Sequence, residues 1–208
     1  MNPFLMRRRM FINKGNGIEK LEYIQNTGTQ YIDAEYMPKT NTILNLDVQF
    51  IKNDNSKENI IEVMGVSQQD GECFAVNFNN NRLVFWLDRL SVNGGKYTAF
   101  YINEELYKRN VININAKGSV ECFGMNQSTT PKTKNMEKAL YLFGYNARSS
   151  VIKMNGMYNM KLFRCKIYED DILIKDFIPA KSGEKVGLYD NISKKFHENK
   201  GNGDFLYA

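Results

Sequence analysis

The sequence has 208 residues, of which 42% are hydrophobic and 25% are charged. These proportions are ordinary for a folded protein and exclude a wholly disordered chain, and the length fits one large all-β domain. The formal net charge is +5, but +4 of it lies in residues 1–17, so the remaining body lacks the basic stripe expected of a nucleic-acid-binding protein. No apolar run approaches the ~18 residues of a membrane span.

Residues 1–17 form a short basic segment ahead of the first predicted strand. Three apolar residues follow its arginines before polar residues resume, which is too few for the apolar stretch of a secretory signal peptide. Two interpretations stay open: a disordered tail, or a docking arm that becomes ordered against a partner through arginine–carboxylate pairs and apolar anchors. The docking residues in the second interpretation are Arg7, Arg8, Arg9, Met10 and Phe11.

The rest of the chain predicts a succession of β-strands. Residues 42–51 alternate, with two leucines, a valine and a phenylalanine on one parity, as in a strand with one buried side. Residues 139–145 form a continuous apolar run, which predicts a central strand buried on both faces. The other predicted strands, separated mostly by short Gly- or Asn-containing turns, are 60–66, 72–78, 82–87, 96–103, 108–115, 119–123, 186–190 and 194–197.

A hairpin late in the chain organises this prediction. Residues 160–167 alternate, 169–171 supply a polar turn, and 172–178 return as a second β-rich run. No window of about 11 residues has the 3.6-residue period of an amphipathic helix, and 104–108 predicts one helical turn at most. The sequence therefore predicts one all-β domain at 18–208, a two-sheet antiparallel jelly-roll sandwich with an extended N-terminal arm.

Three blocks of the chain carry a family resemblance. They read LEYIQNTGTQYID at 21–33, KIY with DFIP at 166–179, and GLYDN with KF and GNGDF at 187–205. Together they resemble concanavalin A-like (laminin G-like) jelly-roll modules common in phage and prophage structural proteins of gut bacteria. The resemblance covers about residues 18–208 and implies two antiparallel sheets of the lectin/glucanase type and a binding role on a virion or cell surface. It transfers no catalytic residue, and family members often begin with a basic segment similar to Met6–Met10, which favours the docking arm.

Trp86 is the single tryptophan and a candidate binding residue. One interpretation is core packing, because large aromatic side chains dominate sandwich cores. The other places the indole on the concave face of the sandwich, stacked on a sugar ring, with polar neighbours as hydrogen-bond partners. Phe85 and Leu87 share the opposite parity, so Trp86 is expected on the less apolar face. The predicted glycan-binding set is Trp86, Asp88 and Arg89, with Asn79 to Asn81 as further partners.

Cysteine, histidine and acidic residues were considered for metal and catalytic chemistry. Cys73, Cys122 and Cys165 lie within apolar strand patterns and indicate buried free thiols, and His197 is the only histidine, so neither a His-based metal site nor a catalytic triad is expected. A retaining glycosidase needs carboxyl groups about 5 Å apart. The candidate acidic pairs are Glu58/Glu62, about 13 Å apart on a strand, and Asp33/Glu35, which has no tryptophan beside it. The acidic turns that offer calcium ligands are Asp170–Asp171 and Asp190–Asn191, although turn chemistry explains both.

These observations and the resemblance favour a non-enzymatic structural protein of a bacteriophage virion: a capsid decoration, a head fibre or a tail-associated protein. The arm would anchor it to another capsid or tail protein, and the domain would display a lectin-like surface for host glycans. Nucleic acid and a membrane span are not expected, and a homo-oligomer fits a fibre although no heptad stalk requires one. A free carbohydrate-binding lectin module is the alternative, and a glycoside hydrolase ranks third.

Overall fold

Strands with one buried face and one less buried face build the fold. In the computed structural model, Thr42–Phe50 buries every second side chain, as its sequence pattern predicts. The structure describes residues 17–51, 60–68, 70–79, 82–88, 97–101, 104–147 and 159–208. The predicted docking residues of the arm lie outside these ranges, as do Arg89 and Glu58.

Short strands joined by tight turns make up most of the described chain. The one helical element within it is a 3₁₀ turn at Glu104–Tyr107, which confirms the predicted helical turn. The strands are β1 (Ile18–Lys20), β2 (Ile24–Gln25), β3 (Ile32–Asp33), β4 (Thr42–Phe50), β5 (Ile60–Ser67), β6 (Cys73–Asn79), β7 (Arg82–Trp86), β8 (Thr98–Tyr101), β9 (Asn110–Asn115), β10 (Ser119–Cys122), β11 (Met125–Ser128), β12 (Tyr141–Leu142), β13 (Tyr145–Asn146), β14 (Met160–Glu169), β15 (Ile172–Ser182), β16 (Lys185–Asp190), β17 (Lys195–Glu198) and β18 (Leu206–Tyr207).

The strands form two sheets. The large sheet has the order β11-β10-β9-β4-β14-β15-β16-β17, with β1 beside β15, β2 beside β14, and β18 beside β2. The small sheet has the order β3-β12-β5-β6-β7-β8. Its β13 runs parallel to β5, whereas the other described pairings are antiparallel.

One hydrophobic core lies between the two sheets. Phe50 of β4 in the large sheet meets Phe78 of β6 in the small sheet edge to face, with ring centroids 5.2 Å apart. Alternate residues of both strands are buried in the same cluster, and each large apolar side chain removed from water stabilises the fold by about 1.5–3 kcal/mol. The chain is therefore an all-β, two-sheet sandwich, as the sequence predicted.

The predicted late hairpin is confirmed in place, and its turn is one residue shorter than the predicted turn at 169–171. Strands β14 and β15 pair through Glu169 and Ile172, which leaves Asp170 and Asp171 as a two-residue turn. Their φ angles are 45° and 69°, the left-handed values that a tight hairpin turn requires. Aspartate tolerates this conformation better than most non-glycine residues, so the acidic turn serves the hairpin geometry.

The prediction of one continuous strand at 139–145 is wrong. The run breaks into β12 and β13, which pair antiparallel and parallel respectively with the same residue of β5, Gly65. Phe143 between them has a φ of 61°, and a Cβ on Gly144 would lie only 2.6 Å from the Cβ of Tyr31. The chain thus reverses at a glycine that passes closely over Tyr31, and apolar composition alone conceals this bend.

Candidate functional site

Trp86 lies on the outer face of the small sheet, the face turned away from the large sheet. Along β7, Leu83 and Phe85 point into the central core, and Leu87 follows them there. Trp86 has the opposite parity and joins a small separate cluster instead. This confirms the face predicted for Trp86 from the alternation of its neighbours.

A strip of aromatic side chains runs along the β7–β8 edge of this outer face. The Trp86 and Tyr97 rings have centroids 4.9 Å apart and an interplanar angle of 47°. The Arg82 guanidinium carbon lies 5.8 Å from the Tyr97 ring centroid, within the range of a cation–π contact. Tyr101, the cross-strand partner of Arg82, is 75% exposed, and Tyr97 is 43% exposed. We call Trp86, Tyr97, Tyr101 and Arg82 the aromatic strip.

Small residues beside Trp86 allow its indole ring to pack closely against the sheet. Ala75 is its cross-strand partner, and Gly65 is the next residue across. A Cβ on Gly65 would lie 2.7 Å from the Cβ of Ala75, so only glycine fits this position. Trp86 packs against the cluster of Ala75, Tyr145 and Ala147 and remains half-buried. Both sequence interpretations of Trp86 are thus partly met, because one part of the indole packs and another part is accessible.

Asp88, the second predicted member of the glycan-binding set, lies just after the end of β7. Asp88 is half-buried, and its Oδ1 accepts a hydrogen bond from the Thr133 hydroxyl at 3.1 Å. Its backbone carbonyl accepts from the Cys73 thiol at 2.5 Å. Arg89 falls outside the described residues, so the structure does not test the third member of the set.

Asp88 also contacts a buried charged group. The Lys132 side chain is fully buried, its Nζ lies 3.7 Å from Glu72 Oε2, and it donates to the Cys73 carbonyl at 3.2 Å. Burial raises the pKa of Glu72, and a hydrogen bond with the Asp88 carboxyl raises it further. Burial likewise lowers the pKa of Lys132. Asp88 is therefore engaged by protein groups, Thr133 and the Glu72–Lys132 pair among them.

The acidic residues near the candidate site do not line an open cleft. Glu72 is 3% exposed, whereas the retaining reaction needs two carboxyl groups about 5 Å apart in a cleft that admits the sugar. In the predicted Asp33/Glu35 pair, Asp33 Oδ1 accepts from the Glu35 amide at 2.7 Å. The Glu35 carboxylate binds Lys195 at 2.6 Å, so both acids have structural partners.

The acidic turns considered for calcium are engaged by protein groups. Asp170 binds Lys117 at 2.8 Å. Asp190 accepts hydrogen bonds from the Ser193 hydroxyl at 2.6 Å and from the backbone amides of Asp176 and Ile192 at 3.0 Å each. Burial opposes ionisation of Asp190, yet these hydrogen bonds lower its pKa to about 2. Within the described ranges, no group of three or more His, Cys, Asp or Glu residues has a geometry that could hold a metal.

A concavity lies on the large sheet, away from the aromatic strip. It has a volume of about 590 Å³, and the buried ring of Phe205 and the half-exposed ring of Tyr207 form part of its wall. Its charged lining is internally paired, with Lys185 2.5 Å from Glu198. This pairing leaves no clear preference for a ligand of one charge.

Sequence reasoning missed Arg82, Tyr97 and Tyr101. The signal was present in YTAFY at 97–101, where Phe100 has core parity and the two tyrosines have the other parity. The sequence pattern does not show the register that places Trp86 beside Tyr97, because β7 and β8 pair only in the folded protein.

Comparison with known proteins gives no assignment. No protein-family model matches the chain, and no curated protein matches it. In the portion of the chain that is described, no helix is long and apolar enough to cross a membrane. The features that bear on function are the geometry of the outer face and the sequence resemblance.

Proposed function

We propose that this protein is a non-enzymatic structural protein of a bacteriophage particle and that its β-sandwich displays a carbohydrate-binding face. The proposal divides the chain into a docking arm at 1–17 and a jelly-roll domain at 18–208. The observation that carries the binding part is the half-exposed Trp86–Tyr97 pair on the outer face. The virion location rests on the family resemblance of the sequence blocks.

The aromatic strip suits a sugar ring for two physical reasons. The C–H face of a pyranose is apolar and loses water favourably against an aromatic ring. Tyrosine hydroxyls and the Arg82 guanidinium supply hydrogen bonds at the rim, as in other ligand sites where few polar groups fix orientation. The strip is also preorganised, since Trp86 and Tyr97 already contact each other without ligand, which lowers the entropy lost on binding.

A glycan array tests the binding part. Wild type and Trp86→Ala are applied at equal concentration after circular dichroism shows that both are folded. Tyr207→Ala is the matched control, because Tyr207 has an exposure of 47% but lies on the large sheet. We expect binding by wild type and the control and loss of binding by Trp86→Ala. Equal glycan binding by all three proteins would show that the aromatic strip is not the binding site.

The anchoring part requires a separate experiment. Arginines of the arm would pair with carboxylates on a capsid or tail protein, so attachment should weaken as salt screens these pairs. Full-length protein and a variant that lacks residues 1–17 are mixed with particles that lack this protein, and co-sedimentation is measured. Co-sedimentation of the truncated protein at the wild-type level would contradict a docking role for the arm. Glycan binding without particle attachment by either protein would favour the free lectin module.

A further inference from the structure

Asn77 lies one step from Trp86 on the outer face. Its neighbours Val76 and Phe78 point into the core, so Asn77 points outward. It pairs with Val84 of β7, two residues before Trp86, and with Glu62 of β5. Diagonal neighbours on one sheet face lie about 7–8 Å apart, within reach of a single bound sugar ring.

The amide oxygen of Asn77 has an unmet hydrogen-bonding capacity. Asn77 is 7% exposed, and its Oδ1 is buried with no hydrogen-bond partner in the structure as described. Nearly all buried polar atoms in folded proteins have a partner, and an exception calls for an explanation. A buried acceptor left unsatisfied destabilises the protein, and a hydrogen-bond donor from a ligand would remove that cost.

The surroundings of Asn77 select for the ligand's charge. A carbonyl oxygen accepts hydrogen bonds and repels an anion, and the Glu62 carboxylate is its cross-strand neighbour. The one guanidinium on the described part of this face, Arg82, lies over the Tyr97 ring. A ligand group that reaches Asn77 must therefore donate a hydrogen bond and carry no negative charge. Sugar hydroxyl groups meet both conditions.

We propose that the outer face binds an uncharged, hydroxyl-rich sugar, with Asn77 Oδ1 accepting a hydrogen bond from a hydroxyl of the ring that stacks on Trp86. This inference rests on the proposed carbohydrate-binding function and names its ligand class. Because Oδ1 is buried, the sugar reaches it only after the side chains that cover it change rotamer. Such rotamer changes are common when ligands bind.

The variant Asn77→Leu separates a binding role from a structural one. Leucine has the same branching and number of side-chain heavy atoms as asparagine but no polar group, so the folded protein loses its unsatisfied acceptor. Asn26→Leu is the contrast, because buried Asn26 accepts a hydrogen bond from the Met160 amide at 2.8 Å. We expect Asn77→Leu to unfold at the same urea concentration as wild type or a higher one, and Asn26→Leu at a lower one.

Binding is measured with matched pairs of neutral and sialylated oligosaccharides on one array. We expect wild type to bind the neutral members at least tenfold more tightly than the sialylated ones, and Asn77→Leu to lose at least tenfold in affinity for the neutral members. Wild-type affinity in Asn77→Leu, destabilisation equal to that of Asn26→Leu, or tighter binding of sialylated sugars would each overturn the inference. Loss of binding in Trp86→Ala alone would leave the proposed function standing, whereas no glycan binding by wild type defeats both.

Discussion

Trp86 and Tyr97 face each other across the β7–β8 pair, with ring centroids 4.9 Å apart. This contact joins the last residue of β7 to the residue just before β8, so it depends on the register of the two strands. The indole is packed against the small cluster around Ala75 as well. The accessible part of Trp86 is therefore held in one orientation before any ligand arrives.

Removing the Tyr97 ring should uncover Trp86. In Tyr97→Ala the indole loses its neighbour and gains contact with water, so its fluorescence emission should shift to longer wavelength. Tyr101→Ala is the control, since Tyr101 lies beside Arg82 in register and is already 75% exposed. An unchanged emission maximum in Tyr97→Ala would show that the pair does not shield the indole.

Lys132 should matter more to stability than Lys134. The Lys132 side chain is fully buried beside Glu72, whereas Lys134 forms an exposed pair with Asp70 at 3.3 Å. Removing one partner of a buried ion pair costs about 3–5 kcal/mol, while an exposed pair contributes about 0–1 kcal/mol. Urea unfolding of Lys132→Met and Lys134→Met should show this difference in the free energy of unfolding, and similar values for the two variants would refute it.

His197 should make the protein less stable as the pH falls from 7 to 5. Burial lowers its pKa below the usual 6.5, and its Nδ1 lies 3.0 Å from the Asp33 carbonyl. Glu35 favours the charged ring, whereas Lys175 and Lys195 oppose it. Below pH 6.5 the unfolded chain therefore binds a proton that the folded chain resists, and stability is lost.

The control for His197 is His197→Asn, which keeps a donor for Asp33 but does not titrate. Glu72, whose pKa is raised, makes the protein more stable as the pH falls. This contribution is the same in both proteins and cancels in the comparison. Unfolding free energies are measured at pH 7 and pH 5. The wild type should lose more stability over this interval than His197→Asn, and equal losses would exclude His197 as the cause.

Gly144→Ala should destabilise the small sheet. Its new Cβ would lie 2.6 Å from the Cβ of Tyr31, a position fixed by the backbone, so the strain should reach about 3 kcal/mol. Gly183→Ala is a control with a φ of 59° and no atom within 4 Å of the new Cβ, which predicts a loss of about 1 kcal/mol. A loss in Gly144→Ala no larger than in the control would argue against the close approach to Tyr31.

Local patterns in the sequence predicted the parts of the fold that local physics determines. The alternation in 42–50 was predicted correctly, and the acidic turn was predicted within one residue, at 169–171 instead of 170–171, because one buried face and one polar turn need little distant information. The bend at Gly144 was missed because its cause is contact with Tyr31, more than a hundred residues away in sequence. Strand β11 was missed because its residues, MNQS, carry no apolar alternation.

The candidate site was predictable only in part, for the same reason. The parity of Trp86 followed from Phe85 and Leu87, which are near in sequence. The contact of Trp86 with Tyr97 depends on the register of β8. The unsatisfied amide oxygen of Asn77 results from the packing of β5, β6 and β7. These are tertiary properties that no short window of sequence contains.

The most direct test of the account is a fluorescence titration of the full-length protein with the neutral oligosaccharide that binds best on the array. Trp86 is the single tryptophan, so the emission reports on the proposed site alone. We expect a saturable change in Trp86 emission whose midpoint equals the affinity measured by calorimetry, together with protection of the indole from iodide quenching. Calorimetric binding of the sugar with no change in emission or quenching would place the glycan elsewhere and contradict the account.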